Sequence, residues 1–136
     1  MSLATAMIAV TACGQKLKES QVPVAAKTAF QKQYPNTKAS WEKEGKNYEV
    51  NFKQNSKTMS AVIDKNGTIL ETETDMAIKD LPQSAQDYVK NHYKGAKIKE
   101  ASKIVKANGE VNYEALVNGN DVMFDVKGAF IRIAKD

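Results

Sequence analysis

A chain of 136 residues is long enough for one hydrophobic core and short for two, because independent cores usually need on the order of 100 residues each. Hydrophobic residues at 42% and charged residues at 26% lie near the averages of soluble globular proteins, which argues against a disordered chain and against a bundle of membrane-spanning helices. The net charge of +4 comes from 20 Lys and Arg interleaved with 16 Asp and Glu; even the run from Lys97 to Lys106 alternates with Ile98, Ala101 and Ile104, so no nucleic-acid partner is expected.

From the N-terminus, Leu3 to Ala12 are small and apolar, too few to span a bilayer, and run into Val10-Thr11-Ala12-Cys13-Gly14. This resembles the lipobox of bacterial lipoprotein signal peptides, whose cysteine is lipidated and becomes the first mature residue. No Lys or Arg precedes the run, which departs from that pattern, and a short apolar helix with an incidental buried thiol is the alternative. Cys13 is the single cysteine, so no disulfide can form within the chain. The resemblance implies lipidation at Cys13, a membrane anchor, and a location in the periplasm or at the cell surface. On this reading 1–21 are a signal remnant and a polar tether (Gln15 to Gln21), and 22–136 form one domain.

The domain repeats itself. Counting from Val22-Pro23 and from Leu81-Pro82, apolar side chains recur at the same offsets: Val22, Ala26, Ala29, Phe30, Tyr34 and Leu81, Ala85, Tyr88, Val89, Tyr93. Each set is the stripe of an amphipathic helix, with proline at the first helical position, where its missing N–H does no harm. Alternation follows each helix and predicts strands near 37–44, 47–53, 58–64 and 68–73, then near 97–106, 110–117, 121–126 and 129–134. Repeat one thus spans 22–75 and repeat two 81–134. Turn residues separate the strands, among them Asp64-Lys65-Asn66-Gly67 and Asp125-Val126-Lys127-Gly128, which correspond between the copies.

The expected fold class is α+β: two tandem α-β-β-β-β units forming one antiparallel sheet with both helices packed on one face. Tyr48, Val50 and Phe52 alternate with Glu49, Asn51 and Lys53, and Tyr113 and Ala115 with Asn112 and Glu114, so one face reads as apolar and the other as wet. Phe30, Tyr34, Val89 and Tyr93 should meet the apolar face.

The spacing of Val22-Pro23, Phe30 and Tyr34-Pro35, followed by Trp41-Glu42, Tyr48-Glu49-Val50-Asn51-Phe52 and Asp64-Lys65-Asn66-Gly67, resembles the PepSY-like periplasmic proteins of Bacteroidetes. Leu81-Pro82 through Phe124-Asp125 repeats the set. The resemblance covers Val22 to Ile133 and implies the fold of the β-lactamase inhibitor protein, with tandem αβ4 units in a continuous sheet. Repeat two departs from the pattern at Tyr93-Lys94 and lacks a Trp-Glu pair. The resemblance implies a fold and a location more firmly than an activity.

Catalytic and metal chemistry find few candidates. His92 is the single histidine and Cys13 the single cysteine, too few for a His-based metal site or a Ser-His-Asp or Cys-His arrangement. His92 reads as structural, at the end of the second helix. Asp64-Lys65-Asn66-Gly67 lacks the alternating carboxylates and distal Glu of a calcium loop and reads as a hairpin turn. Glu71, Glu73 and Asp75 read as a solvated strand edge. Trp41 has two readings, a core residue or an aromatic anchor for a partner.

The expectation is therefore a non-catalytic envelope lipoprotein, without metal or cofactor, that binds another macromolecule, such as an exported enzyme, through the wet sheet face. Candidate binding residues are Lys38, Ser40, Glu42, Glu49, Asn51 and Lys53 from the first copy and Asn112 and Glu114 from the second. The alternative is a small-molecule or peptide binder with a pocket between helix and sheet.

Overall fold

Proline sets where each helix begins. The computed structural model describes residues 14–134; the lipobox and Cys13 lie outside the described residues. Pro23 and Pro82 cap helices α1 (Val24–Gln33) and α2 (Gln83–His92) at the position just before the first helical residue, with φ of −54° and −51°. The prolines thus sit one place earlier than the first-turn position expected. Each helix ends on a tyrosine whose N–H reaches back to the stripe residue four earlier, Tyr34 to the Phe30 carbonyl and Tyr93 to that of Val89, both at 2.8 Å. Two residues beyond each tyrosine the backbone turns left-handed, at Asn36 (φ 57°) and Gly95 (φ 79°). The proline of the first copy is dispensable there, which explains why Tyr93-Lys94 serves as well as Tyr34-Pro35.

The strands are β1 (Gln15–Leu17), β2 (Ala39–Glu44), β3 (Asn47–Gln54), β4 (Lys57–Ile63), β5 (Ile69–Met76), β6 (Ile98–Lys106), β7 (Val111–Val117), β8 (Asn120–Asp125) and β9 (Phe130–Ala134). They follow one another in chain order in one antiparallel sheet. The strands after each helix match the alternation to within a few residues. The described residues divide into two compact units, 14–72 and 73–134, with the division inside β5.

In the first unit the cross-strand rows Ala39, Phe52, Met59 and Trp41, Val50, Ala61 face α1, because register places their side chains on one side of the pleat. Ala26 and Phe30 descend from α1 onto them. Phe30 meets Trp41 edge-on at 5.8 Å and Phe52 at 5.0 Å, and Tyr34 covers Phe52 at 4.4 Å between ring centres. Trp41 is a buried core residue, which decides between its two readings.

The second unit repeats this with smaller side chains. The row Ala101, Ala115, Val122 and the row Lys103, Tyr113, Phe124 lie in register, and Ala85 and Val89 of α2 pack on the cluster they form. β6 is nine residues long where β2 has six, and its register slips between Ile98 and Glu100. The first hairpin of the second copy is therefore longer than that of the first, and it carries a bulge.

The third hairpin turn of each copy, β4 to β5 and β8 to β9, is built in the same way. The Asp64 carboxylate accepts the N–H groups of Asn66 and Thr68 at 2.8 and 2.9 Å, and the Asp125 carboxylate those of Lys127 and Ala129, both at 2.9 Å. Gly67 and Gly128 follow, each with φ of 86°. Both turns press on the first turn of their own helix: a Cβ on Gly67 would come within 2.7 Å of the Ala25 carbonyl oxygen, and one on Gly128 within 2.7 Å of the Pro82 Cβ. The Asp64 oxygen bound to backbone N–H groups supports the hairpin reading over a calcium loop.

Three expectations change. Part of the expected tether is structured: Gln15, Lys16 and Leu17 pair with Lys43, Glu42 and Trp41, and Leu17 packs against the first core. An apolar residue in alternation beside an unfilled sheet edge gains more by pairing than by solvation. The face away from each helix is not uniformly wet either, as Glu42, Glu49, Asn112 and Glu114 are buried, and Ile104, Met123 and Ala134 form a further buried cluster. Interior strands have neighbours on both sides, so a side chain there loses water that alternation alone would grant it. For the same reason Glu71 and Glu73 are buried instead of lying on a solvated edge, since β5 stands between β4 and β6.

Candidate functional site

Register gathers the first-copy candidates on the side of β2 and β3 away from α1. Ser40 stands opposite Asn51, and Asn51 opposite Ser60 of β4; Glu42 stands opposite Glu49; Lys53 stands opposite Thr58. At the end of these strands an open groove of about 780 Å³ is lined by Lys38, Ser40, Asn51, Lys53 and Thr58 together with the loop from Pro35 to Thr37. Thr58 and Ser60 were not anticipated, although their alternation with Met59 and Ala61 carries the signal.

Further along the same strands the character changes. Glu49 is 2% exposed. Burial, then a hydrogen bond to the Glu44 carboxyl and the charge of Glu44, push Glu49 up to about 9, opposed by a hydrogen bond from Asn51. Glu44 is also raised, chiefly by burial, while its bond with Glu49 works the other way. Burial thus holds both of these neighbouring carboxyls toward the protonated form.

In the second unit Asn112 stands opposite Ile104, and Glu114 lies in a row with Ser102, Met123 and Arg132. The Ser102 hydroxyl donates to the Glu73 carboxylate at 2.9 Å in a buried position. Burial, then the charge of Glu100, raises Asp75. Among the described residues no group of three or more His, Cys, Asp or Glu is placed to hold a metal ion, and no helix is long and apolar enough to cross a membrane. His92 stacks on Tyr88 at 3.9 Å, its Nδ1 lying 2.9 Å from the Tyr88 carbonyl, and Tyr88 stacks in turn on Phe130 at 4.7 Å. That column is packing at the end of α2. Between α1 and β2 the open space is about 30 Å³, room for roughly one water, whereas an open groove of about 420 Å³ lies beside α2, lined by Gln86, Val89, Tyr93 and Ile98 among others.

The family model described as "Putative beta-lactamase-inhibitor-like, PepSY-like" matches twice, over residues 8–71 and 61–132. The chain belongs to the PepSY-like family. The two matches reproduce the tandem units seen in the strands. Solved structures of similar fold include a protein from Bacteroides eggerthii described among "putative periplasmic proteins", with a TM-score of 0.74 and 14% identity over 83% of this chain and 88% of that one. A DUF2874 family protein from Bacteroides uniformis gives a TM-score of 0.74 and 16% identity over 83% and 88%. A BLIP-like protein from Bacteroides fragilis gives 0.67 and 22% over 83% and 85%. At these identities the likeness shows the fold, which is BLIP-like. No curated protein matches.

Proposed function

We propose that this PepSY-like protein is a non-catalytic lipoprotein of the periplasm or cell surface that holds another exported protein through the sheet face away from α1. The observation that carries this reading is the groove at the end of β2 and β3, where Lys38, Ser40, Asn51 and Lys53 converge with donors and acceptors turned outward. Groups of this kind orient a partner's polar atoms, while the aromatic core behind them keeps the surface rigid. The inhibitor-like description of the family and the periplasmic description of a structural relative support the class of function and the compartment. The lipobox resemblance supports anchoring through Cys13.

Asn51 lines the groove and stands between Ser40 and Ser60 in a cross-strand row. The Asn51→Arg variant should stay folded, because its position is half exposed, and should lose a polypeptide that the parent protein retains from a Bacteroides envelope extract after chemical crosslinking. Equal retention of the same polypeptide by both would overturn the proposed face.

A further inference from the structure

The occupant of this groove has a chemistry that the site itself defines; the inference rests on the protein-binding reading above and deepens it. Register pairs Ala39 with Phe52 at the end of β2, and the residues next to that pair, Lys38 and Lys53, both line the groove. Like charges gathered at one groove raise its positive potential and favour an anion there. Among the described residues neither lysine makes an ion pair. The surrounding chain adds positive charge only: residues 31–40 and 51–58 contain Lys32, Lys38, Lys53 and Lys57 and no Asp or Glu. The groove wall supplies neutral hydrogen-bonding groups, Ser40, Asn51 and Thr58.

We infer that the groove binds an acidic segment of a partner polypeptide, with its carboxylates set between Lys38 and Lys53. Two observations favour a polypeptide over other anions. The aromatic rings nearby, Trp41, Phe52 and Tyr34, are packed in the core against α1, so none is presented for stacking nucleobases. No large apolar side chain lines the groove except Phe52, which is buried, so nothing is available to insert among lipid chains. Glu42 and Glu49, the next pair on this face beyond Ser40 and Asn51, are buried, so the exposed charge of the groove is that of its lysines.

The test uses the whole chain, isotopically labelled for amide NMR, and a blocked peptide with four central glutamates flanked by serines. The expected result is that the amides of Lys38, Ser40, Asn51 and Lys53 shift on titration. The affinity should fall steeply as salt rises from about 50 to about 500 mM, and the double variant K38E/K53E should weaken binding by about tenfold or more. Variant K90E, on α2, should bind as the parent does. A matched peptide with glutamine for glutamate should leave these amides in place. The inference is overturned if the glutamine peptide binds equally or if shifts fall elsewhere. It is also overturned if phosphatidylglycerol vesicles or a single-stranded oligonucleotide move these amides and the glutamate peptide does not. A glutamate peptide that fails to bind, alongside an envelope partner still lost by Asn51→Arg, removes the acidic class while the protein-binding face stands.

Discussion

Glu49 shows how much a single side chain can depend on where its strand is placed. In sequence it is a polar residue in an alternating strand; in the fold it is buried opposite Glu42 of β2, and burial with the neighbouring Glu44 raises it. A carboxyl raised in the folded state favours folding most at low pH, where both states are protonated at it. As pH rises from its ordinary value near 4.5 toward about 9, the unfolded chain gives up the proton while the folded chain keeps it, so this contribution to stability is lost. The Glu49→Gln variant should therefore be more stable than the parent at pH 8 and show a flatter profile between pH 5 and pH 8. Denaturant midpoints at the two pH values measure this. A parent profile that rises with pH, or a variant as steep as the parent, would show that Glu49 is ionised in the fold.

At the scale of elements, each unit is closed by an Asp-x-x-Gly turn docked on the start of its helix. Three glycines separate the parts of that device. Gly67, Gly109 and Gly128 all have φ near 86°, but a Cβ on Gly109 would meet nothing within 4 Å, whereas on Gly67 and Gly128 it would strike the helix start. Gly109→Ala should cost about 1 kcal/mol through backbone conformation alone. Gly67→Ala and Gly128→Ala should cost about 1–3 kcal/mol more, because the turn must also leave its helix. Thermal unfolding of the three variants gives the comparison, and equal losses in all three would mean that the docking contributes nothing. The 2.6 Å hydrogen bond from the Ser84 hydroxyl to the Lys127 carbonyl is part of the same contact in the second unit.

For the whole molecule, the proposal joins a folded body to a membrane anchor. In a host that processes lipoproteins, a precursor carrying this sequence should be labelled by radioactive palmitate and found with membranes, and Cys13→Ala should abolish labelling. Unchanged labelling in the variant would remove the anchor from the proposal. The sequence by itself determined the class of fold, because two periodicities are local: the 3.6-residue stripe from Val22 to Tyr34 and from Leu81 to Tyr93, and the alternation after each. It also determined the two Asp-x-x-Gly turns, since positive φ at Gly67 and Gly128 demands a residue that can adopt it. Neighbourhood was decided only by the tertiary structure. Alternation says which side of a strand a residue faces, but it leaves open which strands flank it, and burial depends on the flanks. Glu71 and Glu73 thus read as edge residues in a line of text and lie in an interior strand of the sheet. Gln15 to Leu17 read as tether and pair with β2. The groove likewise emerges from register, which brings Ser40 to Asn51 across a hairpin and Thr58 to Lys53 from a third strand, with Lys38 at its rim, an approach that no spacing along the chain encodes.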